Sequence, residues 1–311
     1  MKFHVILNQQ GGTLRTANMD MLCALLRDEF MLHGHIVDIE VLDSADIEAA
    51  LEAASRRTDI DGVIAGGGDG TISCAAGALA GTELALGILP AGTMNLYART
   101  LQIPLELSAA IHALAAGTVA RVDIASVNGK PFVHQYAVGM HARMVRMREK
   151  LNYASKVGKI WASTRAMALT LQKLPMLQLK LNVEGRSETI VTPAVAVSNN
   201  LYGTGHLPFS DDPAGGVLGV YICRGTTRKE LAQLGLDVWR GRWKDNPSLS
   251  VVTTDKIEIV YPGINFHKRA VRDGELEDLA SHSTIIIEPK KLKVLVPDEA
   301  SYLSASPSPA L

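Results

Sequence analysis

The sequence predicts an α/β protein in two parts, an N-terminal parallel-sheet α/β domain and a C-terminal antiparallel β domain. In residues 1–121, short apolar strands alternate with single helices, which is the pattern of βαβ units in a parallel sheet. In residues 122–299, short strands follow one another with glycine, proline and asparagine between them. Residues 300–311 are rich in serine, proline and alanine, which indicates a disordered tail.

The elements of the first part follow from the spacing of apolar residues. Strands are predicted at residues 3–7, 37–41, 62–65 and 84–89. Helices are predicted at residues 16–33, 46–54, 71–79 and 107–116. Ligands of parallel sheets bind outside the carboxyl ends of the strands, so the loops after these strands are the candidate binding loops.

The second part is predicted from short apolar runs that turn residues separate. Its strands are expected at residues 122–127, 132–138, 177–183, 189–197, 217–223, 250–260, 270–272, 284–288 and 292–296. Its helices are expected at residues 141–173 and 227–240.

Composition excludes several classes of protein. The net charge of -1 and the 5% aromatic content argue against a nucleic-acid-binding protein. The three cysteines form no CxxC pair, which argues against a zinc site and favours a reducing compartment. Without an apolar run long enough to span a bilayer, we expect a cytoplasmic protein that reaches a membrane only at its surface.

The clearest motif is a glycine-rich loop between the third strand and the next helix. It consists of Gly66, Gly67, Gly68, Asp69, Gly70 and Thr71. Glycines let the backbone approach an anion, and the N-terminus of the following helix attracts it. A carboxylate at Asp69 suits this place if Mg²⁺ or a substrate hydroxyl lies beside the anion. The alternative is a glycine turn in which Asp69 caps the helix.

Three further segments could join this loop. Thr93 and Asn95 follow the next strand, and Asn8 follows the first, so their polar groups would meet at one sheet edge. Asp273 and Glu275 flank a glycine about 200 residues later, as hydroxyl activation and Mg²⁺ binding require. An ordinary turn is the alternative interpretation of each segment.

Together these residues resemble the bacterial diacylglycerol kinase family of lipid kinases, which is related to sphingosine, ceramide and NAD kinases. The resemblance runs from Val5 to about Val296 and rests on residues 67–71, 90–95 and 273–275, with weaker support from residues 138–142 and 199–203. It implies an NAD-kinase-like α/β domain followed by a β-sandwich domain, with the site in the cleft between them.

The resemblance also implies roles for the candidate residues in an ATP-dependent lipid kinase. The phosphates of ATP would lie on residues 66–71, with Asn8, Thr93 and Asn95 nearby. Asp273 and Glu275 would serve as proton acceptor and metal ligand, with either carboxylate able to take the proton. Together with Asp69, Glu275 would hold Mg²⁺, and the acceptor would be a hydroxyl of diacylglycerol, phosphatidylglycerol or a sphingoid lipid.

The chain departs from the family pattern at four positions. Gln9 follows Asn8 where the family often has proline. Leu96 stands where the family often has aspartate, and Gly215 and Gly219 stand where it has the two acids of a structural Mg²⁺ loop. A catalytically inactive nucleotide- or lipid-binding protein is therefore one alternative. NAD kinase is another, although the chain lacks the Asn-Glu pair which that family uses.

Two basic segments with interleaved apolar residues indicate peripheral contact with an anionic membrane. The first covers residues 143–165. The second combines Arg240, Arg242 and Lys244 with Trp239 and Trp243. A solvated helix is the alternative for the first, and a homodimer is compatible with the sequence.

Overall fold

The N-terminal part alternates strands and helices in the predicted order. The computed structural model describes residues 1–149, 176–205, 207–262 and 269–304. The strands of this part are β1 (Lys2–Asn8), β2 (Ile36–Leu42), β3 (Gly62–Gly67) and β4 (Ala85–Pro90). Its helices are α1 (Met19–Leu32), α2 (Ile47–Ser55), α3 (Asp69–Leu79), α4 (Leu96–Thr100) and α5 (Leu107–Ala115). Helix α4 was not predicted, because five residues are too few to reveal a helical period.

These four strands form the parallel part of a sheet in the order β2-β1-β3-β4. Every residue of β3 and β4 is buried, as expected for central strands that helices cover on both faces. The order places the carboxyl ends of β1, β3 and β4 side by side. The loops that carry the candidate phosphate-binding residues therefore leave one edge of the sheet together.

The second part consists mainly of antiparallel strands. These are β5 (Thr118–Val127), β6 (Lys130–Phe132), β7 (Gln135–Gly139), β8 (Leu177–Val183), β9 (Arg186–Thr192), β10 (Ala194–Asn199), β11 (Leu218–Cys223), β12 (Leu249–Thr254), β13 (Lys256–Val260), β14 (Arg269–Arg272), β15 (Glu275–Asp278) and β16 (His282–Val296). Its described helices are α6 (Met140–Glu149) and α7 (Arg228–Trp239).

Several predicted strand boundaries differ from the observed ones. The strand predicted at 189–197 is two strands, because Pro193 lacks the N–H that a continuous ladder needs. The strand predicted at 250–260 divides at Asp255. Conversely, the strands predicted at 284–288 and 292–296 are one strand, β16, whose pairing with β5 shifts register between Glu288 and Leu292.

Strand β16 joins the two parts. It runs parallel to β4 and antiparallel to β5 and β13, so the N-terminal sheet continues into antiparallel strands. A second sheet has the order β12-β11-β10-β7-β14-β15. Buried side chains from both sheets form one apolar cluster, which is the core of a sandwich. The predicted fold class is therefore confirmed, and the domain boundary proposed at residue 121 falls inside β5.

The structure describes only part of two predicted segments, the helix at 141–173 and the tail at 300–311. Of the helix predicted at 141–173, α6 covers the beginning, and residues 150–175 lie outside the described residues. Of the predicted tail, Ser301–Leu303 form a 3₁₀ helix that Gln102 fixes through hydrogen bonds to Ser301, and residues 305–311 are not described. Among the helices that the structure describes, none is both long and apolar enough to cross a bilayer.

Candidate active site

Three loops meet at the carboxyl edge of the parallel strands, as the sequence predicted. Asn8 at the end of β1 donates a hydrogen bond from Nδ2 to Oγ1 of Thr71 over 3.1 Å. Thr13 donates its backbone N–H to the carbonyl of Ala91 after β4, over 2.8 Å. The ends of β1, β3 and β4 are therefore tied to one another by short polar contacts.

Two glycines at this edge leave no room for a larger residue, Gly67 in the glycine-rich loop and Gly92 in the loop after β4. A Cβ on Gly67 would lie 2.6 Å from the side chain of Thr71. A Cβ on Gly92 would lie 2.9 Å from Cα of Gly68 and 2.8 Å from Oδ1 of Asn95. Gly67 thus lets the glycine-rich loop fold closely against its own Thr71, and Gly92 allows the two loops to approach one another at backbone distance.

Helix α3 begins in the glycine-rich loop. Gly66 and Gly67 end β3, Gly68 is the N-cap in an extended conformation, and Asp69, Gly70 and Thr71 form the first turn. The first backbone N–H groups of a helix lack intrahelical acceptors, and the helix dipole places positive potential there. Gly70 is exposed, so this turn can accept the phosphate groups of a ligand.

Asp69 connects the two loops. Its Oδ1 accepts the backbone N–H of Leu96 over 2.8 Å, and its Oδ2 accepts that of Asn95 over 3.2 Å. These are the first N–H groups of α4, so Asp69 caps a neighbouring helix and not its own, whose N-cap is Gly68 without a side-chain cap hydrogen bond. This contact explains a carboxylate in a loop otherwise suited to anions, and it leaves lone pairs on both oxygens.

The second loop contains two further predicted residues. Asn95 has a left-handed backbone with φ of 49°, and its side chain binds both the N–H and the carbonyl of Gly92. This amide therefore shapes its own loop. Thr93 is exposed, so its hydroxyl is accessible to a ligand at the same edge.

The turn after β14 places Asp273 in a pocket of donors. Its Oδ2 accepts the hydroxyl of Ser73 over 2.6 Å and the N–H of Val133 over 2.9 Å. Its Oδ1 accepts the N–H groups of His134 over 2.8 Å and of Gln135 over 3.0 Å. Burial raises the pKa of Asp273, while these four hydrogen bonds act in the opposite direction. The carboxylate thereby joins α3 to the segment between β6 and β7.

Glu275 lies two residues further on, and it is exposed. Its Oε1 lies 3.5 Å from the place that a Cβ on Gly70 would occupy, so it faces the first turn of α3. It lines a groove of about 450 Å³ that also touches Ser73, Cys74 and Arg272. The turn therefore offers one carboxylate that is fixed by donors and one that is open to a substrate.

His134 is a residue that the sequence analysis missed. Its backbone binds Asp273, and its ring stacks on Tyr202 with the ring centres 5.6 Å apart. Burial, followed by the nearby His141, lowers the pKa of His134 to about 4, and Asp69 acts in the opposite direction. The imidazole is neutral at physiological pH. His134 lies in the bend between β6 and β7 and belongs to no motif, so only the fold reveals it.

The available oxygen donors decide whether Mg²⁺ fits this site. Within the described ranges, no group of three or more His, Cys, Asp or Glu side chains could hold a metal ion. Mg²⁺ commonly takes only one or two carboxylates and completes its shell with water and substrate phosphates. Asp69 in the first turn of α3 and Glu275, which faces that turn, fit that pattern, whereas the four donors around Asp273 leave it unsuited to a metal.

Two family models match consecutive parts of the chain. Residues 2–127 match the diacylglycerol kinase catalytic domain. Residues 135–296 match the YegS C-terminal NAD kinase beta sandwich-like domain. The matches cover both predicted parts, and they confirm the resemblance that the motifs indicated.

Curated relatives include named kinases. A "Diacylglycerol kinase" of Mycobacterium tuberculosis is 26% identical over 241 residues, which are 75% of this chain and 77% of that protein. A "Probable lipid kinase YegS-like" of Klebsiella pneumoniae is 42% identical over 135 residues, 42% of this chain and 44% of that protein. An uncharacterized Synechocystis protein is 26% identical over 261 residues, or 79% of this chain, and the chain spans 58% of its length.

Solved structures share the fold. A diacylglycerol kinase of Bacillus anthracis superposes with a TM-score of 0.68 at 17% identity, covering 95% of this chain and 96% of that one. Another structure from the same organism gives a TM-score of 0.75 at 19% identity, covering 95% of both chains. With both domains matched in order, the chain belongs to the family of the diacylglycerol kinases and YegS-like lipid kinases.

Proposed function

We propose that this protein is an ATP-dependent kinase that transfers the γ-phosphoryl group of Mg-ATP to a hydroxyl of a membrane lipid. The observation that carries the proposal is the contact between α3 and the turn after β14. Ser73 binds Asp273 over 2.6 Å, and Glu275 faces Gly70. An anion-binding helix start and an accessible carboxylate thus share one site, which is what phosphoryl transfer requires.

In this proposal the glycine-rich loop holds the phosphates. The first turn of α3, at Asp69, Gly70 and Thr71, offers backbone N–H groups to the phosphate oxygens. Asn8 supports this turn through Thr71, and the exposed hydroxyl of Thr93 adds a donor from the neighbouring loop. Asn95 contributes by holding the second loop in shape.

We assign proton transfer to Glu275 and positioning to Asp273. When the lipid hydroxyl attacks the γ-phosphorus, its O–H bond breaks and a new P–O bond forms. The bond from the γ-phosphorus to the leaving oxygen of ADP breaks, and the proton goes to the carboxylate of Glu275. Asp273 is 8% exposed and already accepts four hydrogen bonds, so it holds Ser73 and His134 in place rather than reaching the substrate.

Magnesium would be held by Asp69 and Glu275 together with the phosphates of ATP. When bound, it neutralises charge on the transferring phosphoryl group. The proposed phosphoryl acceptor is a hydroxyl of a diacylglycerol-like lipid, phosphatidylglycerol or a sphingoid lipid. Cytoplasmic location, peripheral contact with an anionic membrane and a homodimer are parts of the same proposal.

A kinase assay tests this function. The purified full chain, labelled ATP and Mg²⁺ would be incubated with vesicles that contain each candidate lipid, and the lipid fraction would be counted. We expect label in at least one lipid and no label without Mg²⁺. ATP binding without turnover on any lipid would indicate the inactive binding protein, and phosphorylation of NAD instead would indicate the NAD kinase alternative.

A further inference from the structure

The C-terminal end of α7 exposes an unusual amount of apolar surface. Trp239 is 75% exposed, and Val238 and Leu236 are 40% and 38% exposed. The segment that follows α7 is held in place, because Trp243 is 7% exposed and donates its indole N–H to the carbonyl of Gly205 over 2.9 Å. A rigid segment therefore presents a large aromatic side chain to the surroundings, which marks an interaction site.

Cations surround this apolar surface. Arg240, Arg242 and Lys244 are exposed, and none forms an ion pair within 4 Å with an acidic side chain of the described residues. Two acids lie beside them: the exposed Asp245, and Asp237, whose pKa is lowered by hydrogen bonds from Asn246 and Gln233 over 2.6 and 3.1 Å and, more weakly, by the charges of Arg242 and Arg240. The three cations still outnumber these two acids. We call Leu236, Val238, Trp239, Arg240, Arg242 and Lys244 the α7 patch.

A second exposed apolar surface provides a comparison. Helix α1 exposes Met21, Met31 and Leu32 by 70%, 68% and 75%. Its charged residues are Asp20, Arg27, Asp28 and Glu29, so acidic residues outnumber the single basic one. The two surfaces are similarly apolar and opposite in charge. An anionic surface would therefore attract the α7 patch and repel α1.

We propose that the α7 patch docks on an anionic lipid bilayer, with Trp239 at the boundary between headgroups and acyl chains. Tryptophan is favoured at that depth, and the three cations would meet headgroup phosphates. This inference rests on the proposed function, because it names the surface by which a lipid kinase would reach its substrate.

Packed rings connect the patch to the candidate active site. The Trp243 ring lies 5.7 Å from that of Tyr221, which stacks on Tyr202 at 4.8 Å, and Tyr202 stacks on His134 at 5.6 Å. His134 in turn holds Asp273 through its backbone N–H. Packed aromatic rings thus link the segment behind the α7 patch to the candidate active site.

Vesicle sedimentation with the full chain tests the proposal. The vesicles consist of phosphatidylcholine with or without phosphatidylglycerol. We expect the chain to bind the anionic vesicles, and Trp239→Ala to bind them about tenfold more weakly. Replacing Arg240, Arg242 and Lys244 with glutamine should remove the preference for anionic lipid.

Leu32→Ala, equally exposed on α1, is the matched control and should bind as the wild type does. Unchanged binding of Trp239→Ala would overturn the proposal.

A second measurement separates this inference from the proposed function. With a short-chain lipid dispersed in detergent, Trp239→Ala should phosphorylate as fast as the wild type, since no bilayer has to be reached. If no variant phosphorylates any lipid, the proposed function fails, and the sedimentation assay still decides the docking surface. If Trp239→Ala instead turns a dimer into a monomer while keeping vesicle binding, the patch is a protein contact and the lipid proposal is wrong.

Discussion

Asp69 on the N-terminal side of the candidate site and Asp273 on the other side are both bound by backbone N–H groups, but to different degrees. Asp69 is half-buried, accepts two N–H groups and spans two loops. Asp273 is buried and accepts three N–H groups and a hydroxyl. Asp69 therefore keeps lone pairs available to a ligand, whereas Asp273 is held by its four donors, and the proposed function accordingly assigns proton transfer to Glu275.

The largest expected effect is on catalysis by the exposed carboxylate. Replacing Glu275 with glutamine removes the proposed proton acceptor and one of the two proposed Mg²⁺ ligands, so we expect kcat to fall by about 10²- to 10⁴-fold with little change in thermal stability. Steady-state kinetics and thermal unfolding check the two expectations. Glu48→Gln, in the same groove, is the matched control and should keep wild-type kcat. An active Glu275→Gln variant would contradict the assigned role.

This division of roles could not be predicted from the sequence. The Asp-Gly-Glu turn indicated two carboxylates at a site, but it could not show which one is covered. The donors to Asp273 lie between 138 and 200 residues away in the chain, at Gln135, His134, Val133 and Ser73. Burial of one acid is a property of how β7, β14 and α3 pack, and no local spacing encodes it.

The meeting of Asn8, the glycine-rich loop and the loop at Asn95 could be predicted. Parallel strands that neighbour each other must release their loops at one edge, so the order of strands and loops was sufficient. The capping of α4 by Asp69 could not be predicted. Its partners lie 26 and 27 residues further along, in a helix too short to be recognised.

The next largest effect is the loss of folding stability expected when Asp273 is replaced. In Asp273→Asn, an NH₂ group replaces one oxygen; the Ser73 hydroxyl can rotate to accept from it, but the N–H of Val133 then faces another donor. We expect the free energy of unfolding to fall by about 2 kcal/mol, which denaturant titration measures. The exposed Glu275→Gln variant should unfold as the wild type does. Equal stabilities of the two variants would contradict the difference between the two carboxylates.

A pH effect follows from His134. An unfolded histidine binds its proton near pH 6.5, whereas burial lowers the pKa of folded His134 to about 4. Between these values the unfolded state takes up the proton and the folded state does not. The contribution of His134 to stability is therefore present above about pH 6.5 and is lost as the pH falls toward 4, amounting to at most about 3 kcal/mol.

The His134→Gln variant isolates this effect, because glutamine does not titrate in this range. We expect its free energy of unfolding to depend less steeply on pH between 4 and 6.5 than that of the wild type. Denaturant titrations at several pH values measure the slope. His33→Gln, at the exposed end of α1, is the control and should keep the wild-type slope. Identical slopes for His134→Gln and the wild type would show that His134 is protonated as easily folded as unfolded.

The smallest expected effect concerns the contact between the two loops on the glycine-rich side. In Gly92→Ala, the new methyl group would lie 2.9 Å from Cα of Gly68, so the backbones must separate, at a cost of about 2 kcal/mol. In Gly68→Ala the nearest atom outside the adjacent chain is Cα of Gly92, at an ordinary 3.6 Å. Thermal unfolding should therefore show a lower melting temperature for Gly92→Ala and little change for Gly68→Ala.

Because the separated loops also move Asp69 away from the N–H groups of α4, ATP titration of Gly92→Ala should show weaker binding. Wild-type stability and affinity in that variant would mean that the ligand-binding side does not depend on the close approach of its loops.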